Sequence, residues 1–289
     1  LGGCLGVGCK VVGGYDFFNN DNDPMDDDGH GTHVAGTIAG NGVLKGVAPD
    51  ASIYAYKVLD DNGNGWIGEI LAGIEISIDP NQDGNPDDRL DVISLSLGIP
   101  CKYIYGEYNS NCGPEDVLSN AINNVVEAGV VAIVAAGNEG SSGELTVRSP
   151  GTAHKSITVA AGFKSDEIVY FSSRGPITWE GGTIIKPDVT APGVSICAAQ
   201  FEEYHSNLEC VDDEHTAISG TSMAAPHVSG LVALLKQAHP EWDADEVKMA
   251  LRGTSVDLGY DYIEEGWGRV DGLGLLSVNE KPCVVELEG

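Results

Sequence analysis

The 289-residue chain has no apolar stretch near the roughly 18 residues that a membrane-crossing helix needs, so a helical span is excluded. Basic residues are scarce: 15 Lys and Arg stand against 44 Asp and Glu, for a net charge of −29. That balance argues against nucleic acid or an anionic membrane as partners, and suits a solubilising surface, cation sites or a salty habitat. None of the seven cysteines falls in a C-x-x-C pair, which weakens zinc and thioredoxin readings. The opening "LGGCLGVGCK" lacks the regions of a signal peptide, and residue 1 is Leu, not Met. The chain therefore reads as cut from something longer, and "NEKPCVVELEG" ends it without an evident cap.

What is there is globular and glycine-rich, with 42% hydrophobic residues and 39 glycines. The cysteines fall into local pairs, Cys4 with Cys9, Cys101 with Cys112 and Cys197 with Cys210, with Cys283 left over. Short loops closed by disulfides would favour an oxidising, secreted setting, whereas buried or unpaired thiols would not. Apolar runs at 51–59, 91–98, 130–138 and 156–162 read as buried strands. Helical spacing occupies 66–78, 115–129 and most of 221–252, where "DADEVKMALRG" opens on an acidic N-cap. Strands buried on both faces and separated by helices predict an α/β fold, a doubly wound and mostly parallel sheet flanked by helices. Residues 1–276 are expected to form one domain, and 277–289 to begin a C-terminal extension.

In such sheets reacting groups gather beyond strand ends and at the helix N-termini that follow. "DDDGHGTHVAGTIAG" (26–40) places His30 where a helix begins, "GTSMAAPHVSG" (220–230) does the same for Ser222, and Asn138 ends a strand. A nucleophilic serine needs a base within reach and donors aimed at the developing oxyanion, and a helix N-terminus supplies some of the latter. Singly, each residue also has a plain explanation: an N-cap, a loop histidine, a turn former.

Together they resemble the subtilisin-like serine proteases. "HGTHVAGTIAG" matches that family's histidine motif, "AAGNEG" (135–140) its oxyanion-asparagine segment and "GTSMAAPHVSG" its serine motif, in the family's order. "DVISLSLG" and "KPDVTAPG" also look like family segments, and the likeness runs from about Gly29 to about Leu276. It implies a serine endopeptidase working through an acyl-enzyme on Ser222, with His30 as general base and Asn138 as oxyanion donor. It further implies protein or peptide substrates and the protein's own pro-segment as partners. His33 and His227 match motif positions outside the triad and are expected to pack or hydrogen-bond. His154, His205, His215 and His239 fall outside any motif and read as surface groups.

The family's acid precedes its histidine in a D-T-G or D-S-G tripeptide, and neither tripeptide occurs here. The resemblance implies a sheet lacking the strand that carries the catalytic Asp, with the acid upstream of residue 1 on a missing N-terminal segment. On that reading the chain alone is unstable and severely impaired. Asp28 is too near His30 in sequence to replace that acid, and Asp26 to Asp28 read better as a capping, solvated or cation-binding edge. The alternative is a catalytically inactive pseudoprotease or interaction module that keeps the fold.

"DPNQDGNPDD" (79–88) follows a D-x-N-x-D-G calcium-loop start, with Asp79, Asn81, Asp83, Asp87 and Asp88 as oxygen ligands for a structural calcium. Its twelfth position is Leu90, not Glu, so an acidic solvated turn is the other reading. For substrate, the resemblance implies an extended peptide pairing with Ser96, Leu97 and Gly98 and with backbone near Gly113. The pocket for the acyl-side (P1) residue would be walled by Ala136, Gly137 and residues 147–150, with Arg148 near its floor. An inward Arg148 would favour acidic or polar residues; an outward one would not matter.

Overall fold

In the computed structural model, which describes residues 1–100, 112–201 and 210–283, the sheet falls into two parallel parts. Strands β1 (Val11–Asp16) and β2 (Ile53–Lys57) form a two-stranded ladder of their own. Strands β3 (Val92–Leu95), β4 (Val131–Ala135), β5 (Ile157–Gly162) and β8 (Val189–Pro192) form a second ladder in the order β3-β4-β5-β8. Between β5 and β8 the chain makes a small antiparallel hairpin, β6 (Ile177–Trp179) with β7 (Gly182–Ile184). Another antiparallel pair, β9 (Ile196–Ala199) with β10 (His215–Ile218), follows it. These hairpin strands are too short to show an alternating pattern in the sequence.

Every residue of β4 and β5 is buried, so helices must cover both faces there. The helices are α1 (His30–Ala39), α2 (Ile67–Glu75), α3 (Val117–Glu127), α4 (Thr221–Ala238), α5 (Ala244–Thr254), α6 (Tyr262–Glu265) and α7 (Gly272–Leu276). Helix α4 runs across β3, β4, β5 and β8, burying Ala224, Ala225, Val228, Val232 and Leu235. Helix α3 turns Leu118, Ile122, Val125 and Val126 onto the core, one apolar stripe at helical spacing. Its N-cap, Asp116, is itself buried; it accepts from the N–H groups of Leu118 and Ser119 and from the hydroxyls of Ser119, Ser149 and Thr152. The acidic N-cap expected for α5 is Asp243, in a reciprocal capping box with Glu246.

The expected break in the sheet is present between β2 and β3. Among the described residues each leaves an edge unpaired, and the two strands line a cavity of about 2620 Å³ with α1, Ile70 and Ile74 of α2, and residues Leu1 to Leu5. Cys4–Cys9 and Cys197–Cys210 are disulfides and Cys283 is exposed and unbridged; Cys101 lies outside the described residues. Two of the histidines expected at the surface differ from that reading. His215 is buried against Asp212, Nδ1 to Oδ1 at 2.5 Å, and His239 stacks on Trp242 at 4.1 Å. His154 is exposed, and His205 lies outside the described residues.

Beyond the apolar core, one buried ion cluster ties β8 to α5. The fully buried Asp188 accepts from Lys186 Nζ (2.8 Å), Arg252 (2.5 Å) and the Thr158 N–H (2.7 Å), with Lys248 Nζ 3.1 Å away. Burial opposes its ionisation, but three cations hold its carboxyl far below the usual range. Replacing Asp188 with Asn should cost about 3–5 kcal/mol, because two buried lysines and the part-buried Arg252 lose the one anion they share among the described residues. Urea denaturation of the variant measures this; a loss under about 1 kcal/mol would mean that the carbonyls of His154 and Ser156 suffice for the lysines.

Candidate active site

His30 is the first residue of α1, and a carboxylate builds that helix start. Gly29 sits at φ 101°, a left-handed conformation open to glycine. Asp26 accepts from the N–H groups of Asp28 (3.1 Å), Gly29 (2.9 Å) and Thr32 (2.6 Å), while Asp28 accepts from the His30 N–H at 3.1 Å. The acidic edge is thus a cap, as its sequence suggested, and the Asp28 carboxylate is spent on backbone. Among the described residues no carboxylate is hydrogen-bonded to the His30 ring. Burial pushes the imidazole below its ordinary pKa, against the pull of Asp28 and Asp26, so the ring is a neutral base at pH 7.

Ser222 is the second residue of α4, among the N–H groups that no helical carbonyl satisfies. Pro226, four residues on, has no N–H to give the Ser222 carbonyl. That carbonyl instead accepts from Ser96 Oγ at 2.8 Å, and Ser222 Oγ donates to the Ser96 carbonyl at 3.1 Å. The Asn138 side chain beside it is fixed in sense: its Oδ1 accepts from Thr221 N (2.9 Å) and Oγ1 (3.0 Å). Its NH₂ group is therefore left as a donor, near Gly220. Thr221 Oγ1 also accepts from the Gly137 N–H at 3.1 Å. Val34 of α1 and Met223 of α4 share a buried cluster with Ile196, so the two helix starts bearing His30 and Ser222 abut.

Among the residues expected to meet substrate, Arg148 N donates to Ala136 O (3.0 Å) and Ile99 N to Ser149 O (2.8 Å), so the backbone at 148–149 is bonded both to the segment after β3 and to the end of β4. Arg148 points neither to solvent nor freely inward. It is paired with Glu139 and donates to the Gly98 carbonyl at 3.3 Å. Gly113 is buried against Trp179 and offers no open backbone here. His33 and His227 bond to carbonyls, of Ile196 and Thr216 and of Met223 respectively, as expected of supporting residues.

The subtilase family profile matches residues 8–270, nine-tenths of the chain and all of the residues just described. The chain belongs to the subtilase family. It is 37% identical over 260 residues to the serine protease AprX of Bacillus subtilis (strain 168), covering 84% of this chain and 56% of AprX. With subtilisin DY of Bacillus licheniformis it shares 37% over 255 residues, 86% of this chain and 78% of that protein. With subtilisin E of Bacillus subtilis (strain 168) it shares 39% over 259 residues, covering 88% and 58%. The chain thus spans little more than half the length of AprX and of subtilisin E. A solved protease of Pseudoalteromonas arctica PAMC 21717 superposes with a TM-score of 0.74 at 28% identity, covering 93% of this chain and 84% of that one.

Within this subtilase the loop at 79–88 does not gather its donors around a cation. Asp79 accepts from the N–H groups of Asp83 and Gly84, Asn81 from that of Asp83, Asp83 from that of Asn85, and Asn85 caps the turn holding Asp87 and Asp88. The residue types suit a hard cation. As folded, though, the oxygens serve the loop's own backbone, and no metal-holding group of acidic, His or Cys side chains forms among the described residues. Sequence reasoning missed Thr221 and Glu139, which orient the named residues; only their adjacency to Ser222 and Asn138 pointed to them.

Burial holds His30, His33 and His227 all below the ordinary histidine value. Each binds a proton more readily unfolded than folded, so stability is full above about pH 6.5 and falls as pH drops from there toward the lowered folded values. Asp16 and Asp26, where hydrogen bonds outweigh burial, add a further loss below about pH 4. Urea midpoints measured from pH 8 to 3 should decline through both windows. A flat profile between pH 7 and 5 would show that the three histidines protonate freely in the fold.

Proposed function

We propose that this chain carries the nucleophile, base and oxyanion site of a serine endopeptidase. The observation that supports this best is the locked Asn138 amide, whose NH₂ is held as a donor next to Ser222 at a helix N-terminus. In the reaction, His30 takes the Ser222 hydroxyl proton as Oγ attacks the scissile carbonyl. The Asn138 NH₂ and the Ser222 N–H stabilise the oxyanion. His30 then protonates the leaving amine, and water releases the acyl group by the reverse sequence. Ser222 Oγ must first leave the Ser96 carbonyl, to which it donates at 3.1 Å.

The acid enters on a strand lying between β2 and β3, whose unpaired edges face the cavity that His30 also lines. We place it on a segment of the whole protein upstream of Leu1, since residues 1–5 border the same cavity. Its carboxylate would fix the His30 tautomer and stabilise the imidazolium. The disulfides fit secretion into an oxidising medium, and a pro-segment would attend folding. The competing reading, an inactive module of the same fold, draws on the His30 ring's having no carboxylate partner among the described residues.

The whole protein, carrying the upstream segment, should hydrolyse casein and react with a fluorophosphonate at Ser222. Without that segment, kcat should fall by about 10⁴. Ser222→Ala should abolish both signals, and Asn138→Leu should lower kcat by about 10²–10³ with KM little changed. A folded whole protein that neither labels nor hydrolyses would establish the inactive module instead.

A further inference from the structure

A second, smaller cavity of about 160 Å³ lies where the start of α1 meets the β9–β10 hairpin, bounded by Asp28, His30, His33, Gln200 and Phe201. Helix α1 is seated closely on that hairpin. Gly36 rests against Ala199 of β9, where an added Cβ would come within 2.8 Å of the alanine methyl. One turn nearer the helix start, the His33 ring spans both strands, its Nε2 2.9 Å from the Ile196 carbonyl and 3.2 Å from that of Thr216. Carbonyls only accept, so Nε2 carries the ring proton and Nδ1 is left as a bare acceptor. Burial keeps the ring in that neutral form by lowering its pKa. Gln200 is fixed in the same sense: its Nε2 donates to the Asp213 carbonyl at 3.3 Å, which leaves Oε1 as the free end. His33 is fully buried, and neither its Nδ1 nor the shielded Gln200 Oε1 has a hydrogen-bond partner among the described residues. Unpaired buried acceptors are costly, and two on one cavity point to an occupant that donates to both.

We infer that this cavity binds a small guanidinium-type cation, which donates N–H groups to His33 Nδ1 and Gln200 Oε1 beside the Asp28 carboxylate. None of the lining residues is Lys or Arg, and the neighbouring His30 is neutral at pH 7. An anion would therefore meet acceptors and a carboxylate, and is disfavoured. The volume is several times the roughly 30 Å³ that one water occupies, yet too small for a drug-sized ligand. A guanidinium fits these limits: it is planar, rich in N–H donors and weakly hydrated, and it stacks on rings such as that of Phe201. The inference does not rest on the peptidase reading.

The test uses the whole protein on the Ser222→Ala background, with binding followed by calorimetry and by NMR of the histidine rings. Methylguanidinium should bind in the millimolar range or tighter, about tenfold more strongly than methylurea, which has N–H donors but no charge. Tetramethylammonium, charged but without a donor, should not compete. Binding should shift the His33 Nδ1 resonance as its lone pair accepts a hydrogen bond, and should move the His30 titration to lower pH, because a cation beside it disfavours the imidazolium. Gln200→Leu should weaken methylguanidinium by about tenfold. Should that variant fail to fold, the Nδ1 shift in the unsubstituted site decides. A cavity that holds water alone, with no saturable methylguanidinium binding, overturns the inference. So do equal affinities for methylguanidinium and methylurea, competition by tetramethylammonium, or binding that leaves His33 Nδ1 unmoved.

Discussion

Two reciprocal hydrogen bonds between Ser96 and Ser222 join the end of β3 to the start of α4, and the rest of the site is arranged around them. Pro226 withholds the N–H that would otherwise close the first turn on the Ser222 carbonyl, which leaves that carbonyl open to Ser96 Oγ. The strand end thus becomes a cap for the helix. Since α4 also packs across β3, β4, β5 and β8, the position of Ser222 is set by the whole second ladder rather than by a loop. The same helix start reaches Asn138 through Thr221, so Ser222 and Asn138 share one rigid support.

Charge is handled differently inside and outside. The exterior carries most of a net −29, while the buried Asp188 is outnumbered by Lys186, Lys248 and Arg252. Burial lowers both lysines, yet Lys186 and Lys248 keep full sets of acceptors through the carbonyls of His154 and Ser156. Such a cluster is weak evidence of net stability but a strong constraint on register. It fixes β8 against α5, and the adjoining chain leads through Gly193 to the loop that packs on Gly220.

Much of this was legible in the chain. β4 and α3 are marked by an unbroken apolar run and a helical stripe, α5 by Asp243, and the site residues by three motifs whose resemblance carried over position by position. Illegible were the features that depend on which backbone groups remain to be satisfied. The 79–88 loop has calcium-loop residue types, and that its side-chain oxygens also accept from the loop's own N–H groups could not be read from them. The resemblance puts Arg148 near a pocket floor, yet in the fold its guanidinium is paired with Glu139, nine residues away in sequence. His215 looked like a surface group because nothing near it gave a sign that a β-hairpin would bury it beside the part-exposed Asp212.

The sheet break links stability to chemistry. β2 and β3 are parallel strands with one free edge each, facing one cavity, so an occupying strand would satisfy two ladders at once. His30 lines that cavity from the start of α1, and a carboxylate at the strand's end needs only to reach its ring. In the proposed peptidase, completing the ladder and orienting the base are then one event. Backbone groups that remain unpaired destabilise both strands, and an imidazole without its acid has no fixed tautomer.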